Sequence, residues 1–282
     1  MDIIEQLIEA GYQKEVEKLQ SMARKSIHLI TDKSKEENFL IGETKIGGEA
    51  HLPKDFVWPM YDNKPLAFIA QINLSEITQY DTMNVLPKEG ILSFFFEGGE
   101  KVWGFDPKDI GGSKVFYLQD IDDLERTAFP NGLEEDLIFE PCKVNFECRE
   151  SYPTDLYALN QIMFNGDMSE KYDDFFDILC DGLQEVTTNK MFGYPDLIQG
   201  DIFLEAQLVS NGLYCGNETG YNDSRAKELE LGVTDWMLLF QIDSDPNAGM
   251  FWGDQGRVYF VIKKQDVVDS DFNNAWALLQ CG

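Results

Sequence analysis

Residues 235–264 read DWMLLFQIDSDPNAGMFWGDQGRVYFVIKK. Two apolar runs, Met237 to Ile242 and Val258 to Ile262, flank a loop rich in Asp, Asn, Gly and Pro. Runs of this length carrying Val, Ile, Tyr and Phe between turn residues read as strands. Both are apolar nearly throughout, which predicts a sheet covered on both faces. The connection from Ser244 to Gly256 is far longer than a tight hairpin loop, which marks a functional or self-packed loop.

Working outward, three landmarks occur twice in the same order. Lys45-Ile-Gly-Gly-Glu-Ala-His-Leu52 lines up with Lys190-Met-Phe-Gly-Tyr-Pro-Asp-Leu197. Phe68-Ile-Ala-Gln-Ile-Asn73 lines up with Leu238-Leu-Phe-Gln-Ile-Asp243, and Gly90-Ile-Leu-Ser-Phe94 with Gly256-Arg-Val-Tyr-Phe260. Each half therefore reads as a Lys/Gly turn, an apolar strand with a central Gln, and a Gly-led aromatic strand. The expectation is an internal duplication, with halves at about 40–120 and 188–280 inside a single domain over residues 1–282.

The rest of the chain fits an α+β fold of mostly antiparallel sheets. Ile3, Ile4, Leu7, Ile8, Val16, Leu19 and Met22 recur at helical spacing and predict an N-terminal helix packed on the sheets, with a bend or break at Gly11. Ser26 to Ile30 reads as a short strand. Further strands are expected at Leu66 to Leu74, Gly90 to Glu97, Val115 to Leu118, within Leu137 to Arg149, and at Ala275 to Leu279. Helices are expected at Asp155 to Phe164, Ser169 to Val186, Phe203 to Ser210 and Ser224 to Leu231.

Composition bounds the function. The 282 residues hold 51 acidic and 23 basic side chains, a formal charge of −28. Such a surface repels phosphate backbones and anionic membranes, so nucleic-acid and membrane partners are not expected. It attracts a basic protein or divalent cations. No uncharged run approaches the length of a membrane span. The five cysteines are odd in number and lack C-x-x-C spacing, which predicts reduced thiols and a cytoplasmic location. Cys142 and Cys148 share one strand face and are expected to be buried.

FGYPDLIQGD (Phe192 to Asp201), LVSNGLYCG (Leu208 to Gly216), LLFQIDSD with MFWGDQGRVYFVI (Leu238 to Ile262) and WALLQC (Trp276 to Cys281) resemble the signatures of the YwqG-like family, a bacterial domain-of-unknown-function family. The resemblance covers nearly the whole chain. It implies an α+β architecture with a duplicated, sheet-containing core, and it supplies no catalytic residues. Relatives encoded near secreted-toxin systems imply an immunity-type or interaction role.

No residue pattern spells a reaction. G-x-S-x-G, a phosphate-binding Gly-rich loop and zinc-ligand spacings are absent, and only His28 and His51 could serve as imidazole bases. Asp243, Asp245, Asn247 and Asp254 stand at positions one, three, five and twelve of the long loop, an interval at which oxygen ligands wrap Ca²⁺. Pro246 and Ala248 depart from that pattern, and Asx-turns that cap their own backbone are the competing reading. Gln71 and Gln241, polar members of apolar strands, either fix neighbouring loops or form a pair of ligand-binding amides. Trp252 either plugs the space between the halves or lines a ligand site with Asp254. The function this favours is a binding or interaction protein, of immunity type, for a basic partner. The alternative is a small-ligand-binding protein or enzyme with a carboxylate-lined cleft between the halves.

Overall fold

The computed structural model describes residues 3–99, 101–153, 159–160, 163–164, 172–183 and 188–282. Helices and one large antiparallel sheet make an α+β fold. The sheet strands in chain order are β1 (Arg24–Lys33), β2 (Lys45–Ile46), β3 (Ala67–Asn73), β4 (Ile91–Phe96), β5 (Ser113–Leu118), β6 (Cys142–Ser151), β7 (Lys190–Phe192), β8 (Trp236–Asp243), β9 (Arg257–Lys263) and β10 (Trp276–Gln280). They lie in the order β10-β9-β8-β7-β1-β6-β2-β3-β4-β5. The long strands β1 and β6 pair along their full length at the centre, from Arg24 opposite Ser151 to Lys33 opposite Cys142. Each flank then continues with four strands in meander order.

The flanking strands form where the apolar runs predict them. β3 and β4 are buried at every residue, and β8 and β9 nearly so. The reason is that the flanks face each other. Phe94 of β4 lies 4.8 Å from Phe240 of β8 and 5.2 Å from Phe260 of β9. Trp252, from the loop between β8 and β9, reaches Phe96 at 6.0 Å and Phe139 at 5.5 Å. The two flanks thus share one core, and the ring pairs that bridge them meet at T-shaped or tilted angles. The free edge of β10 is occupied by the chain at Trp103, whose carbonyl accepts from Leu279 N at 3.0 Å. Such cover removes an unpaired edge.

The N-terminal segment is two helices, α1 (Ile3–Glu9) and α2 (Gln13–Ser21). Gly11, at φ +95°, breaks them apart. Their buried residues cluster with Tyr152, beyond the end of β6, and with Phe175 of α3 (Asp173–Leu183). Helix α4 (Ile202–Ser210) is capped by Asp201, whose carboxylate accepts from Phe203 N at 2.9 Å, and packs on β8 to β10. The helix expected over 155–164 lies largely outside the described residues, as do both ends of the one expected over 169–186.

Two local expectations are corrected. The strand expected at 26–30 is the ten-residue β1 at the middle of the sheet. Its polar ends carry no apolar run, so only its centre stood out. Cys142 is buried but Cys148 is exposed. They share a strand face, and most residues of β6 beyond Phe146 are exposed. Among the described residues, no helix is long and apolar enough to cross a membrane.

Candidate functional site

Two buried lysines anchor the flanks where each joins the central strands. Lys45 in β2 stands opposite Gln71 in β3, and Lys190 in β7 stands opposite Gln241 in β8. Beyond each lysine the backbone turns through two left-handed residues, Gly47 and Gly48 at φ +65° and +70°, and Phe192 and Gly193 at +62° and +73°. A β-bulge interrupts β3 between Phe68 and Ala70, and β8 between Leu238 and Phe240.

Each glutamine ties the residue two before its lysine to the residue six after it. Gln71 Oε1 accepts from His51 N at 2.8 Å, while its Nε2 donates to Glu43 O and contacts His51 Nδ1 at 2.9 Å. Gln241 Oε1 accepts from Asp196 N at 2.9 Å, while its Nε2 donates to Thr188 O and to Asp196 Oδ2. The two amides are satisfied by different loops and do not converge on one point. A buried amide with all these partners fixes chain path and excludes alternatives.

The lysines differ in their counter-ion. Lys190 Nζ donates to Asp196 Oδ1 at 2.6 Å, with both side chains buried. Asp196 sits six residues after its lysine, the place His51 holds after Lys45. Lys45 instead pairs with Glu36 from a three-residue turn upstream. Arg126 Nε approaches the same Glu36 oxygen at 3.4 Å. Burial lowers the pKa of both lysines, and the paired carboxylates oppose that shift. His51 is pushed down to about 4, by burial first and then by Lys45.

The long loop carries Asp243, Asp245 and Asn247 into a polar network that ties it to the central strand. Asp243 accepts from Thr188 N at 2.9 Å and pairs with Arg257 at 3.1 Å. Asp245 accepts from Thr31 Oγ1, Asn189 Nδ2 and Asn247 N, all within 2.8 Å. Asn247 donates to Thr31 O at 2.9 Å. Asp254 is exposed at the far end of the loop, where its carbonyl accepts from Gly282 N. Among the described residues, no group of three or more His, Cys, Asp or Glu is placed to hold a metal ion.

Trp252 is buried, donates from Nε1 to Asp243 O at 3.0 Å, and forms one wall of a cleft of about 440 Å³. The cleft opens where the flanks meet. Tyr61 and Leu66 line it from the first flank, Leu137 and Phe139 from the segment before β6, and Phe251 with Trp252 from the long loop. Asp62, Glu97, Glu134 and Asp136, with Lys64 and Lys101, complete its lining of charged residues. Lys101 pairs with Asp62 at 2.7 Å and lowers its pKa, and Lys64 pairs with Glu134. Glu97 Oε2 accepts from the backbone of Gly99, Lys101 and Val102. Phe251 stands 62% exposed at the rim. The lining contains no His, Cys, Ser or Thr among the described residues.

A family model described as Domain of unknown function (DUF1963) matches residues 44–281. The chain belongs to that family. No curated protein matches it. The DUF1963 match takes in both buried lysines, both glutamines and the whole lining of the cleft. It leaves out α1, α2, β1 and Glu36.

Sequence reasoning marked Lys45, Lys190, Gln71 and Gln241, but it took the lysines as turn landmarks. It missed Glu36 and Asp196 as the lysines' counter-ions, and Arg126 and Arg257, which bind Glu36 and the Asp196 carbonyl. The aligned boxes did hold one signal, because His51 and Asp196 fall at the same register in a stretch that otherwise keeps its Lys, Gly and Leu. The cleft residues lie in four separate loops, and no spacing connects them.

Proposed function

We propose that this protein is a binding module whose cleft receives a cationic side chain, arginine or lysine, from a basic protein partner in an immunity-type interaction. The observation that carries this reading is that Glu97 and Asp136 stand outside the cleft's Lys101–Asp62 and Lys64–Glu134 ion pairs and line the same cleft as the exposed Phe251. A cation between an aromatic face and a carboxylate gains from both. The overall charge of −28 would speed the encounter with a basic surface and make it salt-sensitive. A second reading, a free small cationic ligand, is supported by the cleft volume of about 440 Å³, which lies in the range of small-molecule sites. The same charge disfavours nucleic acid. We further propose a YwqG-like, bacterial and cytoplasmic protein. Four free cysteines among the described residues agree with a reducing compartment.

We propose also that the two flanks descend from one duplicated unit within a single domain. Matching strand order, lysine–glutamine register, left-handed turns and bulges support it. Each unit would begin with its long central strand, β1 or β6, paired to the other unit.

Calorimetry with a short arginine-amide peptide tests the cleft. Asp136→Asn and Phe251→Ala should each weaken binding about tenfold, equivalent to roughly 1.4 kcal/mol. Asp120→Asn, on an exposed acidic stretch outside the cleft, should leave it unchanged. Equal weakening by all three would reduce the effect to general charge attraction and sink the reading.

A further inference from the structure

The nest around Lys45 turns more donors toward the Glu36 carboxylate than that carboxylate reaches. Gly42 N donates to His51 Nδ1 at 3.1 Å, and Gln71 Nε2 lies 2.9 Å from the same atom. With Nδ1 accepting from both, the proton of the neutral ring sits on Nε2. That N–H is buried and, among the described residues, has no hydrogen-bond partner. It faces Glu36 Oε1 across 3.9 Å, beyond hydrogen-bond reach. Lys45 Nζ, Arg126 Nε and Glu49 N do reach the Glu36 carboxylate. A Cβ at Gly48 would collide with Glu36 Oε2 and lie 2.8 Å from Lys45 Nζ, so the bare glycine keeps the cradle open. Four donors therefore surround one carboxylate, and one fully buried donor, His51, is left short.

The occupant is also the least embedded part of the arrangement. Glu36 belongs to a 3₁₀ turn, Glu36–Asn38, with no buried residue. It lies outside the family match, whereas Lys45, Gly48, Glu49, His51 and Arg126 all lie inside it. The corresponding lysine, Lys190, needs no outside anion because Asp196 neutralises it from the next turn of its own unit.

We propose that the Lys45–His51–Arg126 nest is a binding site for a small monocarboxylate, filled in this structure by Glu36 as an internal stand-in. A free carboxylate is not tethered to the 3₁₀ turn and can settle deeper, where it accepts from Lys45 Nζ and His51 Nε2–H together. Its departure route is the surface that Glu36 and Arg126 share. Release of Glu36 frees the turn that carries it, together with the exposed Leu40 and Ile41 beyond.

The test uses the full chain at pH 7, with acetate and formate as probes and chloride at equal ionic strength as control. In Glu36→Ala, acetate and formate should raise Tm progressively, with the logarithm of concentration above the dissociation constant, while chloride does not. In ¹⁵N spectra, the His51 Nε2–H proton should move downfield along the same titration. The unsubstituted protein should show the same His51 shift at about tenfold or more higher acetate, because Glu36 must first vacate the nest. If Glu36→Ala does not fold, Glu36→Gln, which keeps the side-chain size and removes the charge, takes its place. A folded variant with no rise in Tm, or a rise without a saturating shift at His51, would overturn the site. A response in the variant with none in the unsubstituted protein at saturating acetate would make Glu36 a permanent clamp and overturn the proposal for the native chain.

Discussion

The two lysine nodes solve one problem with different materials. At Lys190 every charge is internal. Asp196 pairs with the lysine, Gln241 holds Asp196, and Arg257 and Tyr259 close over the Asp196 carbonyl at 2.8 and 2.6 Å. At Lys45 a histidine stands in the place of the aspartate, so the counter-ion comes from a surface turn and the arginine from a strand segment near residue 126. The first node is sealed and the second is assembled from distant pieces near solvent. A buried ion pair gives little net stability but is costly to break. The difference therefore predicts that the sealed node is structural and the assembled one adjustable.

The largest expected effect is at the sealed node. Asp196→Ala leaves Lys190 buried without the carboxylate that pairs with it. Loss of one partner of a buried pair costs about 3–5 kcal/mol. Urea unfolding should show that drop, and Lys190→Met in the same background should recover a large part of it. A loss under about 1 kcal/mol in the single variant would mean that water reaches Lys190, and the contrast between the nodes would fail.

How far the sequence displayed these features depends on their range. β3, β4, β8 and β9 were legible because burial on both faces writes a continuous apolar run, as in Phe68–Asn73 and Leu238–Asp243. The glutamines were legible as exceptions inside those runs. β1 was only partly legible, because its outer residues Arg24, Lys25, Asp32 and Lys33 face solvent. The spacing of Asp243, Asp245 and Asn247 reads equally as a cation loop or as a set of acceptors for Thr188, Asn189 and Thr31, and the partners come from 55 to 216 residues away in sequence. The convergence of Glu36, Lys45 and Arg126 has no local signature, since Arg126 donates to the Glu36 carbonyl across 90 residues. The cleft likewise exists only after the flanks have closed.

A middle effect comes from acid, since each node holds a histidine beside its lysine. His28 lies opposite Lys190 in the sheet, and burial, then Lys190, pushes it down to about 4, as burial and Lys45 do for His51. The unfolded value is about 6.5. Above pH 6.5 both states are neutral and the stability is complete. Between pH 6.5 and 4 the unfolded chain binds protons that the folded chain refuses, so stability falls, by up to about 3 kcal/mol for each histidine at about 1.4 kcal/mol per unit. Below pH 4 no further loss arises from them. Glu205 works against this slope. Its burial pushes it up to about 7, so its contribution is present at low pH and fades as pH rises from about 4.5 to 7. Unfolding free energies between pH 7 and 4 should therefore fall less steeply in His28→Gln and more steeply in Glu205→Gln. A His28→Gln slope equal to that of the unsubstituted protein would remove the histidine from the account.

The smallest effect is the most discriminating for the comparison. If the nodes are two versions of one unit, His51→Asp should give Lys45 the internal partner that Asp196 gives Lys190, and Glu36 should become dispensable. A double-mutant cycle measures this. Glu36→Ala alone should destabilise the protein, because Lys45 and the backbone N–H of Glu49 lose their acceptor. The same substitution made in His51→Asp should cost roughly 1–2 kcal/mol less, within the range of coupling between contacting residues. The His51→Asp carboxylate would have to accept from Gln71 Nε2, as the Asp196 carboxylate accepts from Gln241. Gly42 N, which now donates to His51 Nδ1, offers it a second donor. Additive losses in the cycle would show that the turn after Lys45 cannot take up the arrangement of the turn after Lys190. The two nodes would then share strand register without sharing a design, and the duplicated-unit proposal would lose its energetic support.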